Sequence, residues 1–313
     1  MKSLALCLIL SSALASLPDL DRGLTPHFSA WLQANGYSSF KYERTDLVGG
    51  AYGGKSSAAD PIKHRPVVFF HGNSDIAVGT NDLFTGFSKT IQYFLSKGYS
   101  KSELYITTWG PGRKDLAANQ FHSADYLVYL RKFTEAVIAY TGASKIDVIC
   151  HSMGVTLGRR VIKGGQVNAV SSPFNLGPSL SNKVESFIGI AGANYGLVSC
   201  YLLPVGFPTC NTLNGFYPGD TTGIIPRSKY LSEINSDTVK EGANVFSIFS
   251  TTDDLIGFGN IVYGRYTSLW PTVDESKTFS FEINCHMKLR DETADEQYNL
   301  VTNHSFLDHE FLA

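Results

Sequence analysis

Three short stretches place a nucleophile, a base and an acid just where apolar runs end. The first is CHSMG, Cys150 to Gly154, which follows KIDVI and precedes VTLGRRVI, a run with helical spacing. A serine on a sharp strand-to-helix turn holds its hydroxyl out of the sheet, and the crowded backbones there demand small residues two before and two after it. Gly154 meets that demand on one side, and Cys150 stands where glycine is commoner on the other. Ser152 is therefore a candidate nucleophile for acyl transfer. That chemistry needs a base to take the serine proton, an acid to orient the base, and donors for the oxyanion. FSTTDDLIG offers Asp253 or Asp254 as the acid, and TFSFEINCH ends on His286 as a base. His304 is a second candidate base. His151, beside the nucleophile, is expected to point into packing.

A different chemistry is suggested by GGAYGGKS, residues 49–56, which fits the phosphate-loop pattern G-x-x-x-x-G-K-[ST]. That loop works only between a buried strand and a helix, whose converging N–H groups hold phosphate oxygens. Upstream, Lys41, Glu43, Arg44 and Asp46 allow at best a half-exposed strand; downstream, Pro61 and Pro66 stop a helix. The stretch is expected to be a flexible Gly/Ser surface loop with Lys55 a solvated charge, and no nucleotide is expected.

The elements that must position the acyl-transfer residues alternate along the chain. Val67 to Phe70, Leu104 to Trp109, Ile146 to Cys150, Ser186 to Ala193, Asn244 to Ser250 and Thr278 to Ile283 read as strands. Helical spacing occupies Leu83 to Leu95, Phe121 to Tyr140, the run after Ser152, and Glu292 to Val301. Such alternation predicts an α/β fold with a mainly parallel sheet and helices on both faces. In that architecture the working residues lie at the carboxyl ends of the strands.

The start, MKSLALCLILSSALAS, has one basic residue, a short apolar run and Ala13-Leu14-Ala15, the pattern of a secretory signal over residues 1–15. No other apolar run approaches the ~20 residues of a membrane-spanning helix. A secreted protein with one domain over residues 16–313 is expected. A net charge of −2 with no run of Lys or Arg gives neither nucleic acid nor an anionic membrane an overall electrostatic advantage. Cys200 and Cys210 are plausible disulfide partners in an oxidising compartment, while Cys150 and Cys285 are open to pairing or to burial as thiols. No metal-ligand spacing or cofactor motif occurs, and Asn303-His304-Ser305 is an N-glycosylation acceptor.

Taken together, VVFFHGN, CHSMG, FSTTDDLIG and the histidine after the last strand resemble the lipase class 2 family of secreted α/β-hydrolases, over roughly Pro66 to Val301. The resemblance implies carboxylic ester hydrolysis, often of acylglycerols, with a triad in the order Ser, Asp, His. It favours Asp253 over Asp254, which is left to cap a helix. His286 is preferred to His304, since a glycan on Asn303 is awkward in a cleft. The oxyanion donors become the backbone N–H groups of Met153 and Asn73. A triacylglycerol lipase is the first expectation, acting on a lipid ester at a lipid–water interface. A soluble-ester carboxylesterase, an acyltransferase and a non-catalytic lipid carrier are the alternatives. Two apolar stretches, Tyr201 to Pro208 and the set Ile256, Phe258, Ile261, Tyr263 and Trp270, read equally as acyl-chain groove or ordinary core.

Overall fold

The computed structural model describes residues 19–80, 85–202 and 206–308; the expected leader, residues 1–15, lies outside them. Twelve strands occur among the described residues, in chain order β1 Gly23–Leu24, β2 Ala51–Gly53, β3 Val67–Phe70, β4 Leu104–Thr107, β5 Ile146–His151, β6 Gln166–Val167, β7 Phe174–Asn175, β8 Val184–Ile190, β9 Asn244–Phe249, β10 Ile261–Val262, β11 Arg265–Tyr266 and β12 Glu275–Thr278. Eight of them form one sheet in the order β1-β2-β4-β3-β5-β8-β9-β12, while β6-β7 and β10-β11 are separate two-stranded ribbons. From β4 to β12 every pairing in the large sheet is parallel, and β2 joins β4 antiparallel.

Eight α-helices accompany the strands among the described residues: α1 Pro26–Ala34, α2 Ser88–Ser96, α3 Ala124–Thr141, α4 Met153–Lys163, α5 Val198–Leu202, α6 Lys229–Ser236, α7 Cys285–Asp291 and α8 Ala294–Thr302. Successive strand side chains face opposite sides of a sheet, and the two cores divide accordingly. Val68 and Phe70 join Leu130 and Phe133 of α3 and Val161 of α4 on one face; Val67 and Phe69 join Ile91 of α2, Leu289 of α7 and Leu300 of α8 on the other. All six residues of β5 are buried, because this central strand is covered on both faces. Helix α3 shows how local chemistry sets element ends. Ser123 accepts a hydrogen bond from the Tyr126 N–H at its start, and Gly142 closes it with a left-handed φ of 66°. No helix among the described residues is long and apolar enough to cross a membrane.

Several expectations need correction. GGAYGGKS is not a flexible surface loop: Ala51–Gly53 is buried strand, lying between β1 and β4. Its glycines are required by close approach. A Cβ on Gly50 would lie 2.4 Å from the Arg44 carbonyl oxygen, and one on Gly53, whose φ is 129°, would lie 2.5 Å from the Leu104 carbonyl oxygen. Lys55 is half-buried, with its ammonium 5.7 Å from the centre of the Tyr140 ring. No strand forms over residues 38–48; Ser38–Phe40 is a turn of 3₁₀ helix. The last strand also differs: β12 is Glu275–Thr278, not Thr278 to Ile283. Its partner β9 ends at Phe249, opposite Thr278, so the alternating Phe279 and Phe281 have no further strand to pair with and instead pack against the second core. The helix expected over Glu292 to Val301 is α8, Ala294–Thr302, but a further short helix, α7, precedes it and carries His286; the helix expected from Leu83 begins at Ser88, with residues 81–84 outside the description.

The close packing of the glycine-rich strand sets an expected outcome. Gly53→Ala lowers stability by about 2 kcal/mol or more, through backbone strain and overlap; Lys55→Gln changes it by under about 1 kcal/mol. Thermal denaturation of the two variants beside the parent checks this, and unchanged melting of the alanine variant would return the stretch to a surface loop.

Candidate active site

The carboxyl ends of β3, β5 and β9 converge with the start of α7. At the end of β5 the chain turns through Ser152, whose φ of 55° and ψ of −126° are unusual for a residue with a side chain. The conformation is held because the Ser152 N–H donates to the Ile190 carbonyl at 2.8 Å. Gly154 lets α4 start directly against β3: a Cβ there would be 2.3 Å from the carbonyl oxygen of Phe70 and 2.5 Å from that of His71. Cys150 fits on the other side for a reason that lies one turn along α4. A Cβ on Gly158 would be 2.5 Å from the Cys150 sulfur, so the small residue that the turn needs is displaced from position 150 to position 158. Cys150 is a fully buried free thiol, and burial pushes its pKa well up, which keeps it neutral. Cys285 is also buried and free.

After β3 come His71, Gly72 and Asn73. His71 is completely buried, and that burial lowers its pKa to about 3, so the ring is neutral. Its Nδ1–H donates to the Gly72 carbonyl at 2.7 Å, its Nε2 accepts from the Trp109 N–H at 3.1 Å, and the Trp109 indole stacks on it while donating to the His71 carbonyl. Fixing the Gly72 carbonyl fixes the whole peptide plane. In a trans peptide the next N–H points the opposite way, so the Asn73 N–H is turned away from His71. Asn73 lines the same cleft as Ser152, and Gly72 packs on the nucleophile, its hydrogen standing where a Cβ would be 3.0 Å from that of Ser152. The N–H of Met153, at the first position of α4, has no intrahelical acceptor. Neither the Asn73 nor the Met153 N–H has a hydrogen-bond partner among the described residues. The Asn73 side chain is occupied elsewhere, donating to the Ala117 carbonyl.

Past β9, Asp253 is buried, and its Oδ1 accepts from the Leu255 and Ile256 N–H groups at 2.9 and 2.8 Å. Its Oδ2 lies 2.8 Å from His286 Nδ1. Asp254 is exposed and serves the same histidine through the main chain, accepting from the His286 N–H at 2.9 Å near the start of α7. With Nδ1 donating to Asp253, His286 Nε2 is left as a basic nitrogen, buried and without a partner among the described residues. No hydrogen bond joins it to Ser152 in this structure. His151 backs the histidine: its ring lies 4.7 Å from that of His286, and its Nε2–H donates to the His286 carbonyl at 3.0 Å. Burial first, and the neighbouring His286 and Arg290 next, hold His151 far below the usual imidazole range.

His304 is not part of this cluster. It sits 3.3 Å from Arg65 Nη2, ahead of the start of β3, and Asn303 is exposed at the end of α8. A cleft of about 250 Å³ opens over Ser152, walled by Ala117, Leu197, Phe216, Leu255 and Ile256. A disulfide between Cys200 and Cys210 closes the loop on one side of it. Of the apolar residues read two ways, Ile256 lines the cleft and Trp270 is core, whereas Phe258, Ile261 and Tyr263 are exposed. Among the described residues no cluster of His, Cys, Asp and Glu could hold a metal ion.

One feature carries no sequence signal. Arg290 of α7, fully buried, bonds Asp75 at 2.5 Å, Asp291 at 2.8 Å, and Thr85. It thereby links the helix that carries His286 to the loop that carries Asn73, across a separation of 215 residues.

A family model described as "Lipase (class 2)" matches residues 64–299. Among solved structures, the propeptide form of Bacillus licheniformis lipase BlEst2 is 12% identical with a TM-score of 0.52, over 80% of this chain and 54% of that one. Aspergillus fumigatus lipase B is 12% identical with a TM-score of 0.46, over 74% and 48%. Paleococcus ferrophilus monoacylglycerol lipase is 14% identical with a TM-score of 0.45, over 77% and 97%. The chain thus spans about half the length of the first two. The sheet and its helices are those of the α/β-hydrolase fold.

The contact between Cys150 and Gly158 yields an expected coupling. Gly158→Ala costs about 1–3 kcal/mol by overpacking, and the cost shrinks in a Cys150→Ala background, where the sulfur is gone. Denaturant titrations of the two single variants and the double variant measure this, and strictly additive losses would show that the two positions do not compensate each other.

Proposed function

The chain belongs to the lipase class 2 family, and on that premise we propose that it is a serine hydrolase that cleaves carboxylic esters of lipids, with triacylglycerol the first candidate substrate. The reading rests above all on the buried Asp253–His286 pair, which leaves Nε2 unpartnered, together with a serine on a strained turn next to His151, whose ring lies 4.7 Å from that of His286. In this mechanism His286 takes the Ser152 proton as Oγ attacks the ester carbonyl. Apo distances of this kind tighten when substrate binds, which accommodates the missing Ser152–His286 hydrogen bond. The oxyanion receives the N–H groups of Asn73 and Met153, an effect of about 3 kcal/mol per donor. His286 then passes the proton to the leaving alcohol. Water, activated by the same nitrogen, releases the acid from the acyl-enzyme and restores Ser152.

The apolar walls of the cleft suit an acyl chain. Its modest 250 Å³ equally favours a second reading, a carboxylesterase for short-chain esters. The Cys200–Cys210 disulfide accords with an oxidising compartment and so with secretion. Single-domain organisation over residues 16–313 and a glycan on Asn303 belong to the same proposal.

The decisive assay is a chain-length series, from soluble short-chain esters to emulsified long-chain triacylglycerol, with the parent and its Ser152→Ala form. Hydrolysis of the emulsion that vanishes in the variant is expected; activity confined to short esters selects the carboxylesterase. Folded protein without serine-dependent turnover would overturn the enzyme and leave a lipid carrier. Asp253→Asn is expected to lower kcat by about three to four orders of magnitude. His71→Phe, which leaves the Gly72 carbonyl held only by the 3.3 Å bond from the Asp75 N–H, is expected to lower kcat by up to about 10²–10³ with KM little changed, and steady-state kinetics on a soluble ester separates the two parameters.

A further inference from the structure

Two arginines lie against the ring of Tyr195 without a counter-ion among the described residues. The guanidinium carbon of Arg227, which precedes α6, lies 4.7 Å from the centre of the Tyr195 ring, and that of Arg265, in β11, lies 4.9 Å from the same centre. Among the described residues no carboxylate is within ion-pairing distance of either, and Arg227 Nε is buried with no acceptor. The nearest acid along the loop, Asp220, is turned to its own main chain and bonds the N–H of Ile225 and the hydroxyl of Thr222. Burial, and then the charge of Arg265, pull the Arg227 pKa below its ordinary value. Two like charges on one ring are unfavourable when left alone and favourable around an anion, and the planar guanidinium suits the oxygens of a phosphate.

The surroundings indicate where that anion comes from. Tyr195 lies between Ala193 and Leu197, both of which line the cleft over Ser152. Beside the arginines, Ile224 is 81% exposed, Ile225 and Tyr263 are about half exposed, and Phe258 and Ile261 extend the apolar edge. The Tyr263 hydroxyl donates to the Gly219 carbonyl, which ties the loop bearing Ile224 and Arg227 to the ribbon bearing Arg265. Apolar side chains that enter a lipid surface beside unpaired cations are the two components of attachment to anionic lipid. We propose that Arg227, Arg265 and Tyr195 form a subsite for the phosphate headgroup of an anionic phospholipid surface, with Ile224, Ile225 and Tyr263 as its apolar contacts. The net charge of −2 gives no long-range attraction to such a surface, so the subsite acts at contact.

The proposal deepens the lipid-ester reading by naming the surface on which the enzyme works, and its test needs no turnover. Ser152→Ala protein is sedimented with vesicles of phosphatidylglycerol or of phosphatidylcholine. Tighter binding to phosphatidylglycerol is expected, reduced by roughly fivefold for Arg265→Gln and by some twentyfold when Arg227→Gln is added, and restored by the double lysine variant. The exposed Arg265 keeps the test informative should Arg227→Gln fail to fold. Equal binding to the two vesicles, or a preference that survives both glutamines, would overturn the proposal. So would competition by millimolar inorganic phosphate beyond that of chloride at equal ionic strength, since it would make the ligand a free anion. In the Ser152 parent, the glutamine variants should keep their rate on a soluble ester. Loss of that rate in the parent itself would sink the hydrolase reading while the vesicle result stands.

Discussion

The approach of α4 to the end of β3 is the contact on which the site depends. Gly154 rests against the carbonyls of Phe70 and His71, so close that any side chain would push the helix away. Because the helix begins there, Ser152 is forced into its left-handed turn and the Met153 N–H stands free at the helix start. The same closeness sets Gly72 against Ser152 and brings Asn73 to the cleft. One steric constraint thus gathers Ser152 and the free N–H groups of Met153 and Asn73 from two strands. His71 completes it by helping to fix the direction of a single peptide, which a neutral, buried imidazole does without adding charge beneath Ser152.

Buried charge then joins this unit to the rest of the molecule. Arg290 reaches from the His286 helix to Asp75 in the Asn73 loop, and Asp291 and Thr85 share its remaining donors. An ion pair that is fully desolvated contributes little net stability, but removal of one partner strands the other at a cost of about 3–5 kcal/mol. Such a pair therefore tolerates only one arrangement. Behind α4, Arg159 is held by Glu241, Asn194 and Asn235, with Lys163 beside the same glutamate. The two clusters grip opposite sides of the sheet: one ties the His286 helix to the loop that carries Asn73, the other ties α4 to β9 and its neighbours.

The rim is built on the opposite principle. A disulfide, a two-stranded ribbon and the loop before α6 carry exposed Tyr201, Phe207, Ile224 and Phe258. These side chains find no core because the sheet is already covered on both faces. Polar main chain holds the segments together instead, as in the Tyr263 bond to Gly219. A densely bonded floor under an apolar rim suits the proposed hydrolysis of lipid esters.

The sequence determined the strand–helix alternation, the turn at Ser152 and the place of Asp253 just past β9, because each is written in short-range spacing; His286, expected at the end of the last strand, stands instead in α7. The sequence also offered Cys200 and Cys210 as plausible partners across a short loop, but left open Cys150 and Cys285, which are buried free thiols in the structure. It misread GGAYGGKS, since glycines that give flexibility and glycines that permit close packing look identical until the neighbouring chain, here Arg44 and Leu104, is in place. It misplaced the last strand because alternation records which face is buried, whereas the length of β12 is set by where β9 ends. Tertiary structure alone decided that Cys150 is answered by Gly158, that Asp254 serves the main chain of His286 while Asp253 serves its ring, and that Arg290 finds Asp75. These are contacts between residues remote in sequence or facing one another across two elements. No local pattern encodes them, because their partners are chosen by packing.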